Sequence, residues 1–269
     1  MLYNAKNGIL QMESGTMEYI RFGRGKRVLV MLPGLGDGLR TVKGTALPMA
    51  FTYRVFTKAF TVYMFSRIQP LPVGYTTRDM ARDQSLAMEQ LGIRQADILG
   101  VSMGGMIAQY LAIDSPEKVG KLVLAVTAAQ PNPILREAIN EWVTCAKDGD
   151  HTALMDSNLR RIYSEGYCRK NRWSVPFIGL LTKPKSYDRF YTQADACLAH
   201  DAWAYLSRIC APTLVIGGEK DLSLGGDASR EIAAQIPGAA LRMYPQWGHG
   251  LYEEAKDFNR VVMDFLQNP

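Results

Sequence analysis

The chain alternates short apolar runs with longer amphipathic stretches at both of its ends. An apolar run bounded by glycine or proline predicts a buried strand, whereas apolar residues three and four apart predict a helix. The predicted strands are GILQMES and MEYIRFG with a turn at Ser14-Gly15, then RVLVMLP, FTVYMFS, ADILGV, VGKLVLAVT, TLVIGG and AALRMYP. This alternation predicts an α/β fold with a mostly parallel sheet covered by helices on both faces.

Four helices are predicted between and after these strands. The first begins at Thr76, where Asp79 three residues later completes a capping box, and it ends at Gly92. The other three have the sequences GGMIAQYLAIDSP, DASREIAAQI and EEAKDFNRVVMDFL. We expect each of them to pack an apolar side against the sheet.

The strand pattern stops in the middle of the chain. Residues 128–208 read as helical pieces and loops, which predicts a helical cap, or lid, inserted into a core domain of residues 1–127 and 209–269. The insertion is rich in large aromatic residues, among them Trp142, Tyr163, Tyr167, Trp173, Phe177, Tyr187, Phe190, Tyr191, Trp203 and Tyr205. They suggest a mostly apolar pocket under the lid, although most single rings are expected to pack within the lid itself.

Composition limits the class of protein. The 269 residues, 47% apolar and 21% charged, suit one globular domain with an insertion. No apolar stretch is long enough to span a membrane, and the start MLYNAKNGILQMESG does not resemble a signal peptide. The four cysteines have no C-x-x-C spacing, so we expect free thiols, no zinc site and a cytoplasmic location.

The net charge of +5 is spread along the chain, and its densest basic stretch is RRIYSEGYCRKNR, residues 160–172. Such a stretch could bind nucleic acid or another anionic ligand. Glu165 interrupts it and no binding motif accompanies it, so we favour a solvated surface and expect no nucleic-acid partner.

The stretch DILGVSMGGMIAQ contains the pattern G-x-S-x-G, from Gly100 to Gly104, between a predicted strand and a predicted helix. A strand that turns sharply into a helix through one residue needs small neighbours on both sides of that residue. The turn exposes the Ser102 hydroxyl, and the free amides of the following helix favour a developing negative charge. Ser102 is therefore the candidate nucleophile; a serine in a plain glycine-rich turn, holding a phosphate, is the alternative.

A serine nucleophile needs a base, and the chain has three histidines. His249 lies in QWGHGLYEE, after the last predicted strand, and would stand over the same edge of the sheet as Ser102. His151, beside two aspartates, is expected at the surface. His200 also lies in the insertion, where a structural role is favoured over a role in the pocket. His249 is therefore the candidate general base.

The base needs an orienting carboxylate, and TLVIGGEKDLSLGGD offers three. Asp221 is favoured because it follows the strand in the order serine, aspartate, histidine that this motif uses. Glu219 lies closer to the strand, and Asp227 looks like an N-cap or first-turn acid.

A developing oxyanion needs two donors. The backbone N–H of Met103, directly after the nucleophile, is one candidate, and that of Leu35, in the loop LPGLGDG, is the other. That loop could also be an ordinary glycine turn, but its position after an early strand favours the functional interpretation.

With these residues, the chain resembles the α/β-hydrolase fold superfamily, in particular its cap-bearing esterase and lactonase-like members. The resemblance rests on LPGLGDG, DILGVSMGG, PTLVIGGEKD and QWGHG in that order and covers nearly the whole chain. It implies an eight-stranded sheet, a lid between strands six and seven, and no metal or organic cofactor. Two segments depart from it: Pro33-Gly34 replaces the usual His-Gly, and PLPVG replaces the usual Asp-x-Arg-Gly, which affects mainly the shape of the pocket.

The sequence therefore predicts a serine hydrolase acting on a small or medium ester, thioester or lactone, as a monomer or homodimer. An acyltransferase that uses the same three residues is an alternative. A ligand-sensing regulatory protein that retains them is another.

Overall fold

Eight strands form one sheet in the computed structural model, which describes residues 2–268. They are β1 (Lys6–Met12), β2 (Gly15–Gly23), β3 (Arg27–Leu32), β4 (Phe60–Gln69), β5 (Ala96–Val101), β6 (Val119–Ala125), β7 (Thr213–Gly218) and β8 (Ala240–Tyr244). Their order in the sheet is β1-β2-β4-β3-β5-β6-β7-β8. The pairs β1/β2 and β2/β4 are antiparallel and the remaining pairs are parallel, which confirms the mostly parallel sheet.

Burial along the strands follows their place in the sheet. The central strand β7 is buried at every residue, and β5 is buried at all residues but its last, because helices cover both of their faces. The edge strands β1 and β8 are largely exposed. The continuous apolar runs in the sequence are therefore the central strands.

Helices cover both faces of the sheet and fill the connection between β6 and β7. They are α1 (Ala46–Thr52), α2 (Thr77–Gln90), α3 (Met103–Asp114), α4 (Pro133–Lys147), α5 (His151–Ile162), α6 (Glu165–Asn171), α7 (Val175–Thr182), α8 (Asp188–Leu198), α9 (Asp227–Gln235), α10 (Leu251–Glu254) and α11 (Phe258–Gln267). Residues of α2, α3 and α9 join the apolar core on one face, and residues of α1 and α11 join the core on the other. Helices α4 to α8 lie within residues 128–208, the insertion for which the sequence predicts a cap, or lid.

Two details of the helices bear on the predictions. The capping box of α2 is present: the Asp79 backbone N–H donates to the Thr76 hydroxyl, and the Thr76 backbone N–H donates to the Asp79 carboxylate. The single helix predicted for EEAKDFNRVVMDFL is wrong, because the chain turns at Ala255 between α10 and α11. Hydrogen bonds from Tyr163 and Ser164 of the lid hold α10, whereas α11 packs on the sheet, so the two cannot share one axis.

Within residues 2–268, no helix is both long and apolar enough to cross a membrane. The four cysteines are all free thiols.

Candidate active site

Ser102 sits at a strained turn between β5 and α3. Its backbone has φ 54° and ψ −124°, a conformation that residues other than glycine rarely adopt. A Cβ at Gly100 would lie 2.5 Å from the Gly104 carbonyl oxygen, and a Cβ at Gly104 would lie 1.9 Å from the Leu32 carbonyl oxygen. The two glycines of G-x-S-x-G therefore let α3 start directly against the sheet, with Ser102 at its N-terminus.

Three side chains that are distant in sequence meet at this turn. The Ser102 Oγ lies 3.0 Å from Nε2 of His249, and Nδ1 of His249 lies 2.8 Å from Oδ2 of Asp221. His249 and Asp221 are only 4% and 6% exposed. Because a carboxylate oxygen can only accept, Nδ1 donates its proton to Asp221, which leaves Nε2 free to accept the hydroxyl proton of Ser102.

Backbone amides fix the orientation of Asp221. Its Oδ1 accepts hydrogen bonds from the amides of Ser223, at 2.8 Å, and Leu224, at 2.9 Å. The two alternative acids face elsewhere: Glu219 pairs with Arg230, and Asp227 lies in the first turn of α9.

The prediction that His151 lies at the surface is wrong. Its side chain is 3% exposed, and its ring nitrogens lie within hydrogen-bond distance of Tyr187 and Thr182. Asp150 is the N-cap of α5, so His151 is the first residue of that helix. Its ring is covered by residues more than thirty positions away in the sequence. Burial lowers the pKa of His151, and the positive charge of Lys183 lowers it further.

His200 is buried away from Ser102. Its Nδ1 lies 2.9 Å from the Thr77 hydroxyl, and its Nε2 lies 3.4 Å from Oε1 of Gln109. Since the Gln109 oxygen can only accept, the proton is on Nε2 and Thr77 donates to Nδ1. Burial lowers the pKa of His200 to about 3. These contacts agree with the structural role favoured from the sequence.

The two candidate oxyanion donors come from two separate segments next to Ser102. Met103 is the first residue of α3, and Leu35 is the first residue of a 3₁₀ turn, Leu35–Gly38. First-turn amides have no acceptor within their own helix, so both remain available. Gly34 lets the loop before Leu35 lie close to Ser102, since a Cβ at Gly34 would be only 3.3 Å from the Ser102 Cβ.

A buried charged cluster that the sequence analysis missed supports the Leu35–Gly38 turn. Arg67, on β4, donates to the Pro33 carbonyl oxygen at 2.6 Å, and its backbone N–H donates to Asp37. Arg189, on α8, donates to the Asp37 carboxylate, to the Asp37 carbonyl oxygen at 3.0 Å and to the Ile68 carbonyl oxygen at 2.7 Å. Burial lowers the pKa of Arg67, and the Asp37 carboxylate opposes that effect.

Nothing near these three residues in the sequence predicts their contact. Arg189 and Asp37 are 152 positions apart, and each lies in a stretch with no recognisable polar pattern.

A cavity of about 560 Å³ opens at Ser102 and His249. Its lining is mostly apolar and comes from the core and from the lid, including Pro33, Met49, Met64, Trp142, Ile162 and Phe190. A second space of about 20 Å³ also borders Ser102 and His249, and its lining includes Leu135, Ile139 and the two candidate oxyanion donors, Leu35 and Met103. The site can therefore take one large apolar group and one group of about the size of a water molecule.

Within residues 2–268, no three histidine, cysteine or acidic side chains are arranged to bind a metal ion.

Comparison with known proteins finds hydrolases in both sequence and structure. The family described as alpha/beta hydrolase fold matches residues 27–146. A 2-hydroxy-6-oxononadienedioate/2-hydroxy-6-oxononatrienedioate hydrolase of Pseudomonas putida is 28% identical over 94% of this chain and 92% of its own. A putative carbamate hydrolase of Caulobacter segnis is 24% identical over 90% and 92%. The enol-lactonase of Burkholderia xenovorans LB400 has the same fold, with a TM-score of 0.80 at 22% identity over 97% and 100%.

Proposed function

Since the chain belongs to the alpha/beta hydrolase superfamily, we propose that it is a serine hydrolase that cleaves a carboxylic ester, thioester or lactone through an acyl-enzyme. The observation that carries the proposal is the continuous chain of contacts from the Ser102 hydroxyl through His249 to Asp221, opening into the 560 Å³ cavity. A buried hydroxyl–imidazole–carboxylate arrangement activates serine for attack on a carbonyl carbon.

In the first step, His249 Nε2 takes the Ser102 proton while Oγ attacks the carbonyl carbon. The carbonyl oxygen becomes an oxyanion, which accepts hydrogen bonds from the Leu35 and Met103 amides. Asp221 holds the imidazole in the required tautomer and stabilises the imidazolium that forms. His249 then gives its proton to the leaving oxygen or sulfur, and an ester on Ser102 remains.

In the second step, water attacks the acyl-enzyme. His249 takes a proton from the water, the same two amides hold the oxyanion, and the acid leaves as Ser102 regains its proton. No step requires a cofactor.

Residues 128–208 act in this proposal as a cap over the site. Trp142, Ile162 and Phe190 of the cap line the cavity together with Met49 and Met64 of the core, which suits an apolar substrate arm. The 20 Å³ space beside the oxyanion residues suits a short arm on the other side of the carbonyl carbon. The named activities of the relatives differ, so the cavity is the better guide to substrate.

The test is a panel of esters, thioesters and lactones of graded chain length, assayed with the wild type and with Ser102→Ala. We expect hydrolysis of a substrate such as p-nitrophenyl acetate, and a loss of at least about a thousandfold in the variant. Mass spectrometry of the wild-type protein should reveal the mass of one acyl group when a slowly hydrolysed ester is used.

The matched control is Ser186→Ala, which removes an exposed serine of the cap whose side chain, among the residues that the structure describes, is hydrogen-bonded to Asp188 alone. Its activity should equal that of the wild type. Turnover retained by Ser102→Ala, with its fold intact, would remove Ser102 from the role of nucleophile.

A further inference from the structure

One side of the cap presents large apolar side chains to the outside. α7 buries Val175 and Gly179, one helical turn apart, against α5, where a Cβ at Gly179 would lie 3.0 Å from the Thr152 Cα. The other sides of α7 and the turn before it form what we call the α7 face, whose side chains are 43–83% exposed: Trp173, Phe177, Ile178, Leu180 and Leu181. Contiguous exposure of this kind marks an interaction surface.

Positive charge flanks the α7 face on both ends. Residues 164–185 carry five basic residues and one acidic residue, a net charge of +4: Arg169, Lys170, Arg172, Lys183 and Lys185 against Glu165. Arg172 pairs with Asp156, but within residues 2–268 Arg169, Lys170 and Lys185 have no ion-pair partner. The basic stretch noted in the sequence therefore borders an apolar surface.

We propose that the α7 face docks the protein on the surface of an anionic lipid bilayer. An interfacial segment of this type combines leucine, phenylalanine and tryptophan on one side with lysine and arginine around them. The long basic side chains can reach lipid phosphates while their methylene groups stay against the apolar layer. Trp173 at one end of the face suits the boundary between the headgroups and the acyl chains.

Charge argues against a second copy of the chain as the occupant. A two-fold contact through the α7 face would bring two segments of net charge +4 together, and like charges across an interface oppose association. A surface of negative charge complements the same segment, and an anionic bilayer also accepts the apolar side chains.

Docking would place the cavity close to the lipid. α7 packs on α5, and Asn158 and Ile162 of α5 line the cavity at Ser102. Lipid binding does not depend on the chemical step, so it should be the same in the Ser102→Ala protein, and its failure would leave the proposed hydrolysis untouched.

The test is sedimentation with vesicles of phosphatidylcholine, alone or with about one-third phosphatidylglycerol. We expect the partition coefficient to be at least about tenfold higher on the anionic vesicles and to fall when salt is raised from about 0.1 M to about 1 M. The double variant Phe177→Ser, Leu181→Ser should reduce it at least about tenfold. The double variant Lys170→Glu, Lys185→Glu should also reduce the partition coefficient on anionic vesicles at least about tenfold.

Val73→Ser is the matched control, since Val73 is a fully exposed apolar residue far from α7 in the sequence. It should bind vesicles as the wild type does. Circular dichroism would establish that each variant is folded, and analytical ultracentrifugation would give the oligomeric state.

Three results would overturn the proposal. One is equal binding to neutral and anionic vesicles, or none to either. Another is binding that persists in both double variants. The third is a wild-type dimer that the Phe177→Ser, Leu181→Ser variant dissociates in the absence of vesicle binding, because a second copy would then cover the α7 face.

Discussion

At the scale of single residues, the carboxylate of Asp221 is held at both oxygens. One oxygen accepts from two backbone amides of its own loop, and the other accepts from His249. A group fixed in this way can orient the imidazole without moving during the reaction. The sequence offered three acids within nine residues, and chain order selected Asp221 without any knowledge of the loop that positions it.

Asp221→Asn tests this role. If the amide nitrogen faces His249, it donates to Nδ1, so the imidazole proton moves to Nε2, which can no longer accept from Ser102. We expect kcat for ester hydrolysis to fall roughly a thousandfold or more, with KM changed far less. The measurement is steady-state kinetics on the best ester of the panel.

Glu219→Gln is the control, because Glu219 pairs with Arg230 near the surface. It should change kcat less than about twofold. A large loss in that variant, with Asp221→Asn still active, would transfer the orienting role to Glu219.

At the scale of elements, helix α8 of the cap and the Leu35–Gly38 turn are fixed to each other. Arg189 binds the Asp37 side chain and three carbonyl oxygens, those of Asp37, Arg67 and Ile68. A Cβ at Gly38 would lie 2.9 Å from the Phe190 Cα, so the turn and the helix are also in close backbone contact. We therefore expect this contact to influence the position of the Leu35 amide.

Arg189→Met should therefore affect catalysis and stability together. We expect kcat to fall about tenfold, because a less fixed Leu35 amide stabilises the oxyanion less well. The loss of a buried ion pair should lower the free energy of unfolding by about 3 kcal/mol. Both quantities are measured on one preparation, by ester kinetics and by urea unfolding.

Arg160→Met is the same substitution at a half-exposed arginine of the cap that pairs with Asp156 and Glu141. It should cost less than about 1 kcal/mol and leave kcat unchanged. Unchanged kinetics in Arg189→Met would show that α8 does not position the turn.

Ser102, His249 and Asp221 could be predicted from the sequence, whereas the charged cluster of Asp37, Arg67 and Arg189 could not. Ser102 and His249 lie in glycine-rich loops at the ends of recognisable strands, so local pattern and strand order locate them. Asp37, Arg67 and Arg189 meet through tertiary contacts between distant segments, and the hydrophobic periodicity of the sequence does not predict such contacts. His151 was misplaced for the same reason, since Tyr187 and Thr182, which lie over its ring, come from distant parts of the cap.

At the scale of the whole molecule, short apolar runs predicted all eight strands. The runs are continuous in the interior strands, because a sheet covered on both faces requires apolar residues on both sides of each strand. The order of the strands was not predicted, since the apolar pattern itself does not show which strands are neighbours. The insertion between β6 and β7 was predicted because the strand pattern stops over residues 128–208. His200 connects these parts: it follows α8 and bonds to Thr77 at the start of α2 and to Gln109 in α3.

This connection should make the stability of the whole fold depend on pH. Burial lowers the pKa of His200 from 6.5 to about 3 in the folded protein, so the unfolded chain binds a proton more readily. The contribution is complete above pH 6.5 and is lost as the pH falls from that value towards about 3. Between pH 7.5 and pH 5.5, His200 alone should remove about 1.4 kcal/mol from the free energy of unfolding.

Urea unfolding of the wild type and of His200→Gln at both pH values isolates this contribution, because all other titrating groups are common to the two proteins. The variant is expected to be less stable at pH 7.5, since it loses fitted contacts, but its loss on going to pH 5.5 should be about 1.4 kcal/mol smaller than that of the wild type. Equal losses would mean that the His200 ring takes up its proton as easily in the folded protein as in the unfolded chain. The packing of the ring between α2, α3 and the end of the cap would then be looser than its hydrogen bonds indicate.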